Sequence, residues 1–320
     1  MGYFLNTTDN YHINDLNSLG WELTVCNALY PKTSPCRNAL QIKSSLGIQL
    51  YRFLEGLIPL NKVHNILEIG GGLGYLMRDF LSFNPQLKAT MLDISPYLLE
   101  KQKEILKEFN VNFFQNDILK MEFNTFSSYD LIIMNENLGD LPTMVAYSGE
   151  ISNIEKNPAH YLEEANYFSK KYKLPFAEEE NINIGAMILL ENICRAGIKY
   201  IYLSEHSCET IVPEHLKPYI NFESVGIPEK ISLKGHDEYT IKFSYLQKIV
   251  EMFHYKIKRG PIADFLPLDF NSKVLTALRL LTPFTSEQEI IRQFVYDLYK
   301  YEYMVMIKAE KWEGEKSCIS

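Results

Sequence analysis

The chain has 320 residues, enough for one large domain or one domain with elaborations at about 150 residues per domain. Hydrophobic residues at 46% and charged residues at 22% fit a packed core and exclude a mainly disordered protein. The net charge of −8 leaves no broad basic footprint, and apolar stretches such as Ile184 to Leu190 fall far short of the about 20 residues that span a bilayer, so neither nucleic acid nor a membrane is expected as a partner.

No Lys or Arg precedes Lys32, so neither a secretory signal nor an Arg-rich transit peptide fits. Asn6 stands where myristoylation wants Ser or Thr. Cys26, Cys36, Cys194, Cys208 and Cys318 are odd in number and scattered, which reads as reduced thiols and gives no Cys-x-x-Cys zinc site. A cytoplasmic location is expected, and the oligomeric state is left open.

Residues 1–60 are expected to form an N-terminal helical segment. The first 33 show no clear period; Ser34-Pro35 then reads as an N-cap with proline at the first helical position. Leu46, Leu50, Phe53, Leu54 and Leu57 continue at helical spacing and predict a helix from about 35 to 58. From residue 64 short apolar strands alternate with helices. His64 to Ile69 is a strand, Gly70 to Gly74 a turn and Tyr75 to Phe83 a helix. Lys88 to Asp93 is a second strand, Pro96 to Phe109 a helix, Val111 to Gln115 a third strand and Tyr129 to Asn135 a fourth. That alternation predicts an α/β fold with a mostly parallel, doubly wound sheet covered on both faces. The next stretch, 136–180, reads as a partly helical insertion, with Glu178-Glu179-Glu180 as a solvated helix start. A helix over 181–196 capped by Gly197, a fifth strand at Lys199 to Ser204 and a second insertion at 205–240 follow. Ile241 to Phe253 is a helix, and Tyr255 to Lys258 a strand ending at Arg259-Gly260-Pro261, where Arg259 is expected to pair with Asp264. Thr285 to Gln288 forms a capping box, and Tyr303 to Ala309 closes as a last strand. The main domain is thus expected over 61–312, with a tail at 313–320.

Glu68-Ile69-Gly70-Gly71-Gly72-Leu73-Gly74, between a strand and a helix, is the strongest motif. Glycines let a ligand approach the backbone closely. A dinucleotide fingerprint counted from Gly70 would need glycine at Tyr75, and no P-loop pattern is present. An acidic residue followed by Gly-x-Gly-x-Gly resembles the first motif of class I S-adenosylmethionine-dependent methyltransferases. The resemblance covers about residues 61–204. It implies a Rossmann-like fold with a seven-stranded sheet, one strand of it antiparallel, and S-adenosylmethionine as cofactor. By that resemblance Glu68, Gly70, Gly71, Gly72 and Gly74 form the cofactor loop. Asp93 takes the ribose hydroxyls, Asp117 the adenine amino group, Ile94 and Ile118 also bind the cofactor, and Asn135 lines the methionine part. Asn135-Glu136-Asn137-Leu138-Gly139-Asp140-Leu141-Pro142 is similar to a signature of the MidA-like methyltransferases, matching at Asn135, Glu136, Leu141 and Pro142. Some members of that family methylate a protein arginine.

The acceptor side is read from the strand ends. Glu136 directly follows a strand and is expected either to hold an acceptor or to bind the cofactor's amino group, with Asp140 second. Glu205 and His206 rim the same cleft, with His206 a candidate base. His236 is a further cleft candidate, while Asp237 is read as a helix cap. A zinc site from His206, Cys208 and His215 follows no established spacing, and no metal is expected. The expected function is methyl transfer to a small-molecule or protein side-chain nucleophile. The alternatives are a non-catalytic S-adenosylmethionine-binding interaction module and an NAD-dependent oxidoreductase, against which Tyr75 speaks.

Overall fold

The computed structural model describes residues 2–18, 24–147, 159–280 and 285–309. It opens with strand β1 (Gly2–Asn6), a short π-helical turn at Tyr11–Asp15, and helices α1 (Val25–Leu29), α2 (Pro35–Asn38) and α3 (Leu46–Glu55). Strands and helices then alternate: β2 (Asn65–Ile69), α4 (Tyr75–Phe83), β3 (Lys88–Asp93), α5 (Pro96–Leu106), β4 (Val111–Gln115) and β5 (Leu131–Asn135). The first insertion carries β6 (Thr143–Tyr147) and α6 (Ala159–Tyr172), and leads to α7 (Ile184–Ala196) and β7 (Tyr200–His206). The second carries the hairpin β8 (Lys230–Ser232) and β9 (Asp237–Tyr239). The chain ends with α8 (Phe243–Glu251), β10 (Tyr255–Pro261), α9 (Ser272–Arg279), α10 (Ser286–Lys300) and β11 (Tyr301–Lys308).

The seven-stranded sheet has the order β10-β11-β7-β5-β2-β3-β4. The pairs from β4 to β7 are parallel, and β11 is antiparallel to both β7 and β10. Numbered along the chain within this sheet, the order is 3-2-1-4-5-7-6. The direction of winding reverses between β2 and β5, and open α/β sheets bind ligands outside the strand ends at such a point.

Alternation along the strands feeds two cores. Ile66, Ile133 and Tyr202 face a layer built on α3, α4, α9 and α10. Leu67, Ile132 and Ile201 face α6, α7 and α8. Two-sided cover accounts for the unbroken apolar run Leu131 to Met134. The edge strand β4 departs from this pattern, with Phe114 exposed. Capping follows the sequence: Ser95 Oγ accepts from Leu98 N, Gly197 ends α7 in the left-handed region, and Thr285 and Gln288 form the expected capping box.

Several local expectations are overturned. Residues 1–60 are not purely helical, because Gly2–Asn6 is a strand paired antiparallel with Thr143–Tyr147. The helix expected from 35 to 58 is two helices, since α2 stops at Asn38 and α3 starts only at Leu46. Gln41 instead donates its amide to the Pro267 carbonyl, and its side-chain amide to Leu268 O. Glu180 is buried, not solvated: its carboxylate accepts from Lys242 Nζ at 2.6 Å, Tyr245 Oη at 2.9 Å and Ala177 N at 2.9 Å. Asp237 belongs to β9 and caps no helix. The segment 313–320 and Cys318 lie outside the described residues; Cys26, Cys36, Cys194 and Cys208 are free thiols. Among the described residues no helix is long and apolar enough to cross a membrane.

Arg259 does not pair with Asp264, which accepts from Tyr303 Oη instead. Its guanidinium donates to Glu302 Oε2 at 2.7 Å and Glu209 Oε2 at 2.8 Å, while Ser207 Oγ donates to Glu302 Oε2. This network ties β11 to the loop after β7. Arg259→Ala leaves two largely buried carboxylates without their cation, so it is expected to cost about 3 kcal/mol. Urea unfolding monitored by circular dichroism measures that loss, and an unchanged midpoint refutes it.

Candidate functional site

A cavity of about 450 Å³ lies at the carboxyl ends of β2, β3, β5 and β7. Every residue named from the sequence for the cofactor or the acceptor lines it except Gly74. Gly74 sits one step back as the N-cap of α4, with φ +83°, and a Cβ there would lie 3.4 Å from Gln102 Cα.

The glycine loop is built for close approach. Gly70 and Gly72 have φ of +62° and +52°, conformations that glycine adopts without steric cost. A Cβ on Gly71 would stand 2.4 Å from Met91 Cε, so the residue is glycine for space as well. Gln102, fully buried on α5, donates through one amide nitrogen to Gly72 O at 3.0 Å and Asp93 Oδ2 at 2.9 Å. It fixes the loop and the end of β3 relative to each other, a role that nothing in its sequence context announces. Asp93 Oδ1 accepts from Ser95 N at 3.0 Å. Burial raises the Asp93 carboxyl to about 6. Burial, and then the neighbouring Asp93 charge, push Glu68 up to about 8. Glu68 Oε2 is buried with no hydrogen-bond partner. Asp117 caps the turn Ile118–Lys120 and pairs with Lys120 at 2.9 Å.

The strand-end carboxylates hold loops. Glu136 has φ +57° and is half-buried. Its Oε2 accepts from Val25 N at 2.8 Å, and its Oε1 from Cys26 N at 3.3 Å and Asn135 Nδ2 at 2.9 Å. It thereby caps the start of α1, and burial raises its carboxyl. Asn135 Oδ1 in turn accepts from Ser204 Oγ at 2.9 Å. Glu205 Oε2 accepts from Leu138 N at 2.9 Å and Gly139 N at 3.2 Å, and its Oε1 from His206 N at 2.9 Å. Burial lifts Glu205 to about 8, against the pull of His206 and these amides. The His206 ring lies 3.8 Å from the Tyr301 ring, and its Nδ1 is 3.8 Å from Glu205 Oε1.

The second insertion and the N-terminal segment cover this cavity together. Asn6 Nδ2 donates to Asp237 O, and Thr8 Oγ1 to Asp140 O. His12 Nε2 lies 2.8 Å from Asp140 Oδ1. Burial opposes a charged His12, but the Asp140 hydrogen bond and charge outweigh it and raise its pKa. His236 Nε2 lies 3.0 Å from Glu238 Oε1, and burial lowers the His236 pKa. Burial, then Asp140, raise Glu238 to about 8. His236 is a cleft candidate from the sequence; His12 and Glu238 are not. No periodic signal surrounds His12, and its approach depends on a strand pair between distant parts of the chain, Gly2 with Tyr147. Cys208 and His215 do not line the cavity.

Residues 67–156 match the family model of a methyltransferase domain. Malonyl-[acyl-carrier protein] O-methyltransferase 1 of Ilyobacter polytropus is 35% identical over 99 residues, covering 31% of this chain and 35% of its own length. A polyamine aminopropyltransferase of Sulfolobus acidocaldarius is 31% identical over 104 residues, covering 29% of this chain and 34% of its own. The chain thus spans about a third of the length of these curated relatives. Among solved structures, an O-methyltransferase family protein from Burkholderia thailandensis aligns with a TM-score of 0.44 at 10% identity, over 83% of this chain and 57% of that one. The likeness to the MidA-like signature rests on its four matching residues alone. The matched segment spans the glycine loop and strands β2 to β5 up to the crevice of the 3-2-1-4-5-7-6 sheet, so residues 67–156 are similar to a methyltransferase domain.

Proposed function

We propose that the protein transfers a methyl group from S-adenosylmethionine to a nucleophile bound in this cavity, a small molecule in preference to a protein side chain. One observation carries the reading: a single cavity joins the glycine loop, the Asp93 carboxylate and a set of strand-end acids. Its residues fit a cationic, adenosine-bearing cofactor. Glu68 Oε2 is a buried acceptor without a donor, and a Cβ on Gly71 would fill the cradle. Gly70, Gly71, Gly72 and Asn135 would hold the amino-acid part, Asp93 the ribose hydroxyls, Asp117 the adenine amino group, and Ile94 and Ile118 its apolar faces. When bound, the cofactor supplies an activated methyl group, so the protein's share is mainly proximity and orientation.

Glu136 and Glu205 act as positioning residues, because their oxygens are already taken by backbone amides. His206 is left to face the acceptor, whereas Asp140 is already paired with His12. His206 would take the proton of a nucleophile that carries one, as an imidazole within reach can. The cover formed by Tyr11, His12, Leu233 and His236 favours an enclosed, small acceptor over a polypeptide. The activity named for the Ilyobacter relative makes an oxygen nucleophile the first acceptor class to screen.

Calorimetric titration with S-adenosylmethionine, S-adenosylhomocysteine and NAD tests the reading. Binding of the first two is expected, with Asp93→Ala weakening it about 10- to 100-fold, the size of one or two lost charge-assisted hydrogen bonds. Absent binding, or preference for NAD, overturns the proposal; so does binding without any methylated product across a broad acceptor screen.

The raised carboxyls set a pH dependence. A sulfonium favours ionised carboxylates, so its affinity should rise as pH climbs through about 6 and towards about 8, where Asp93 and Glu68 ionise, with protons released on binding. The uncomplexed protein should show the opposite slope. A carboxyl whose folded pKa lies above its unfolded one contributes stability below the unfolded value, and that contribution is lost as pH rises through the folded value. Titrations and thermal melts between pH 5 and 8 measure both, and parallel slopes would refute the assignment. Glu136→Ala should speed amide hydrogen exchange at Val25 and Cys26 about 10-fold, since each loses its acceptor. Exchange that stays at the wild-type rate would show that α1 is held by other contacts.

A further inference from the structure

We propose that His12, Asp140, His236 and Glu238 form a binding site for one divalent first-row transition cation at the wall of the cavity. This goes beyond the methyl-transfer reading and does not depend on it. One ligand atom each of His12, Asp140 and His236 lies within 4.8 Å of the other two. Asp140 Oδ1 is 2.8 Å from His12 Nε2 and 3.7 Å from His236 Nε2, and Glu238 Oε1 is 3.0 Å from His236 Nε2. Donors at about 2.0–2.2 Å from a shared ion stand about 3–3.5 Å apart at tetrahedral or octahedral angles, so the donors of His12, Asp140 and His236 need only modest shifts to share one, while Glu238 stands against His236 and joins by a larger move. Two imidazoles with one or two carboxylates are a donor set for zinc, iron or cobalt rather than for calcium or magnesium, which prefer oxygen.

The rings are held in place. His236 stacks on Tyr11 with centroids 4.2 Å apart and planes at 20°. Tyr11 meets His12 edge-on at 5.3 Å. Gly235, at φ +100°, leaves the space that Tyr11 occupies, since a Cβ there would fall 2.7 Å from Tyr11 Cε2. Thr8 Oγ1 anchors the Asp140 backbone. Such supporting contacts orient metal ligands in known sites. Charge favours a cation as well. Asp140 and Glu238 face a cavity that Asp93, Glu136 and Glu205 also line, and Lys120, the one lysine among its lining residues, is already paired with Asp117. The ligands come from three separate segments: the N-terminal turn, the loop after β5 and the β8–β9 hairpin. A bound ion would pin all three across the cavity.

The test uses the full chain, untagged and stripped with a chelator, titrated with Co²⁺ and with Zn²⁺. One equivalent of Co²⁺ is expected to bind, with visible ligand-field absorption typical of mixed nitrogen and oxygen ligation, and Zn²⁺ should displace it. His12→Ala and His236→Ala should each weaken binding at least about 10-fold, the lower end of the loss seen even for outer-shell partners. Glu238→Gln should weaken it less. S-adenosylhomocysteine binding, measured on the same preparations, separates this proposal from the cofactor reading and reports folding of each variant. Should a variant fail to fold, the wild type still decides: Co²⁺ is expected to raise its melting temperature and to shift its absorption. No absorption change in the wild type, or binding that survives both histidine variants, overturns the site.

Discussion

Backbone amides in irregular segments must find acceptors when they are buried, and two glutamates at the ends of the central strands meet that demand. Glu136 takes the first amides of α1, and Glu205 takes those of Leu138 and Gly139. A helix start leaves four such donors unpaired, and a carboxylate there is favoured by the local dipole as well. The cavity therefore has walls because two side chains on the sheet reach out to the loops. The energy that keeps these acids buried comes from the same hydrogen bonds that shape the site.

The sheet supports this arrangement without contributing much chemistry. Its winding reverses between β2 and β5, which opens the crevice where the glycine loop sits. Gln102 reaches from α5 to the loop and to Asp93 together, so a change in either is felt by both. The additions cover the cavity: the N-terminal segment, the loop after β5 and the hairpin after β7. The segments shared with the Ilyobacter and Sulfolobus relatives cover 31% and 29% of the chain, too little to include all three of these additions.

Much of this was legible in the residues. Strands buried on both faces write an unbroken apolar run, as at Leu131 to Met134. A glycine cluster between a strand and a helix marks backbone that must turn sharply and be approached closely. Strand-end acids follow from the alternation itself. What stayed hidden depends on contacts across the chain. Glu180 sits in an acidic triplet that looks solvated, and only the approach of Lys242 and Tyr245 makes burial tolerable. Arg259 has Asp264 near it in sequence, yet the strand register sets Glu302 diagonally across, opposite Pro261, and the side chain reaches it there. His12 lies in a stretch without periodicity, and its place against Asp140 is set by a strand pairing that no local pattern encodes.

That strand pairing has a consequence during synthesis. Gly2 pairs with Tyr147, so β1 has no partner until residues far downstream have left the ribosome. At about 5–20 residues per second the wait is of the order of 10–30 s. Through that interval β1 presents an unpaired edge carrying Tyr3, Phe4 and Leu5, a template for contact with other nascent chains. The N-terminal part of the cover therefore cannot assemble before residue 147 has emerged, and its yield in the cell depends on translation speed and on what shields that edge in the meantime.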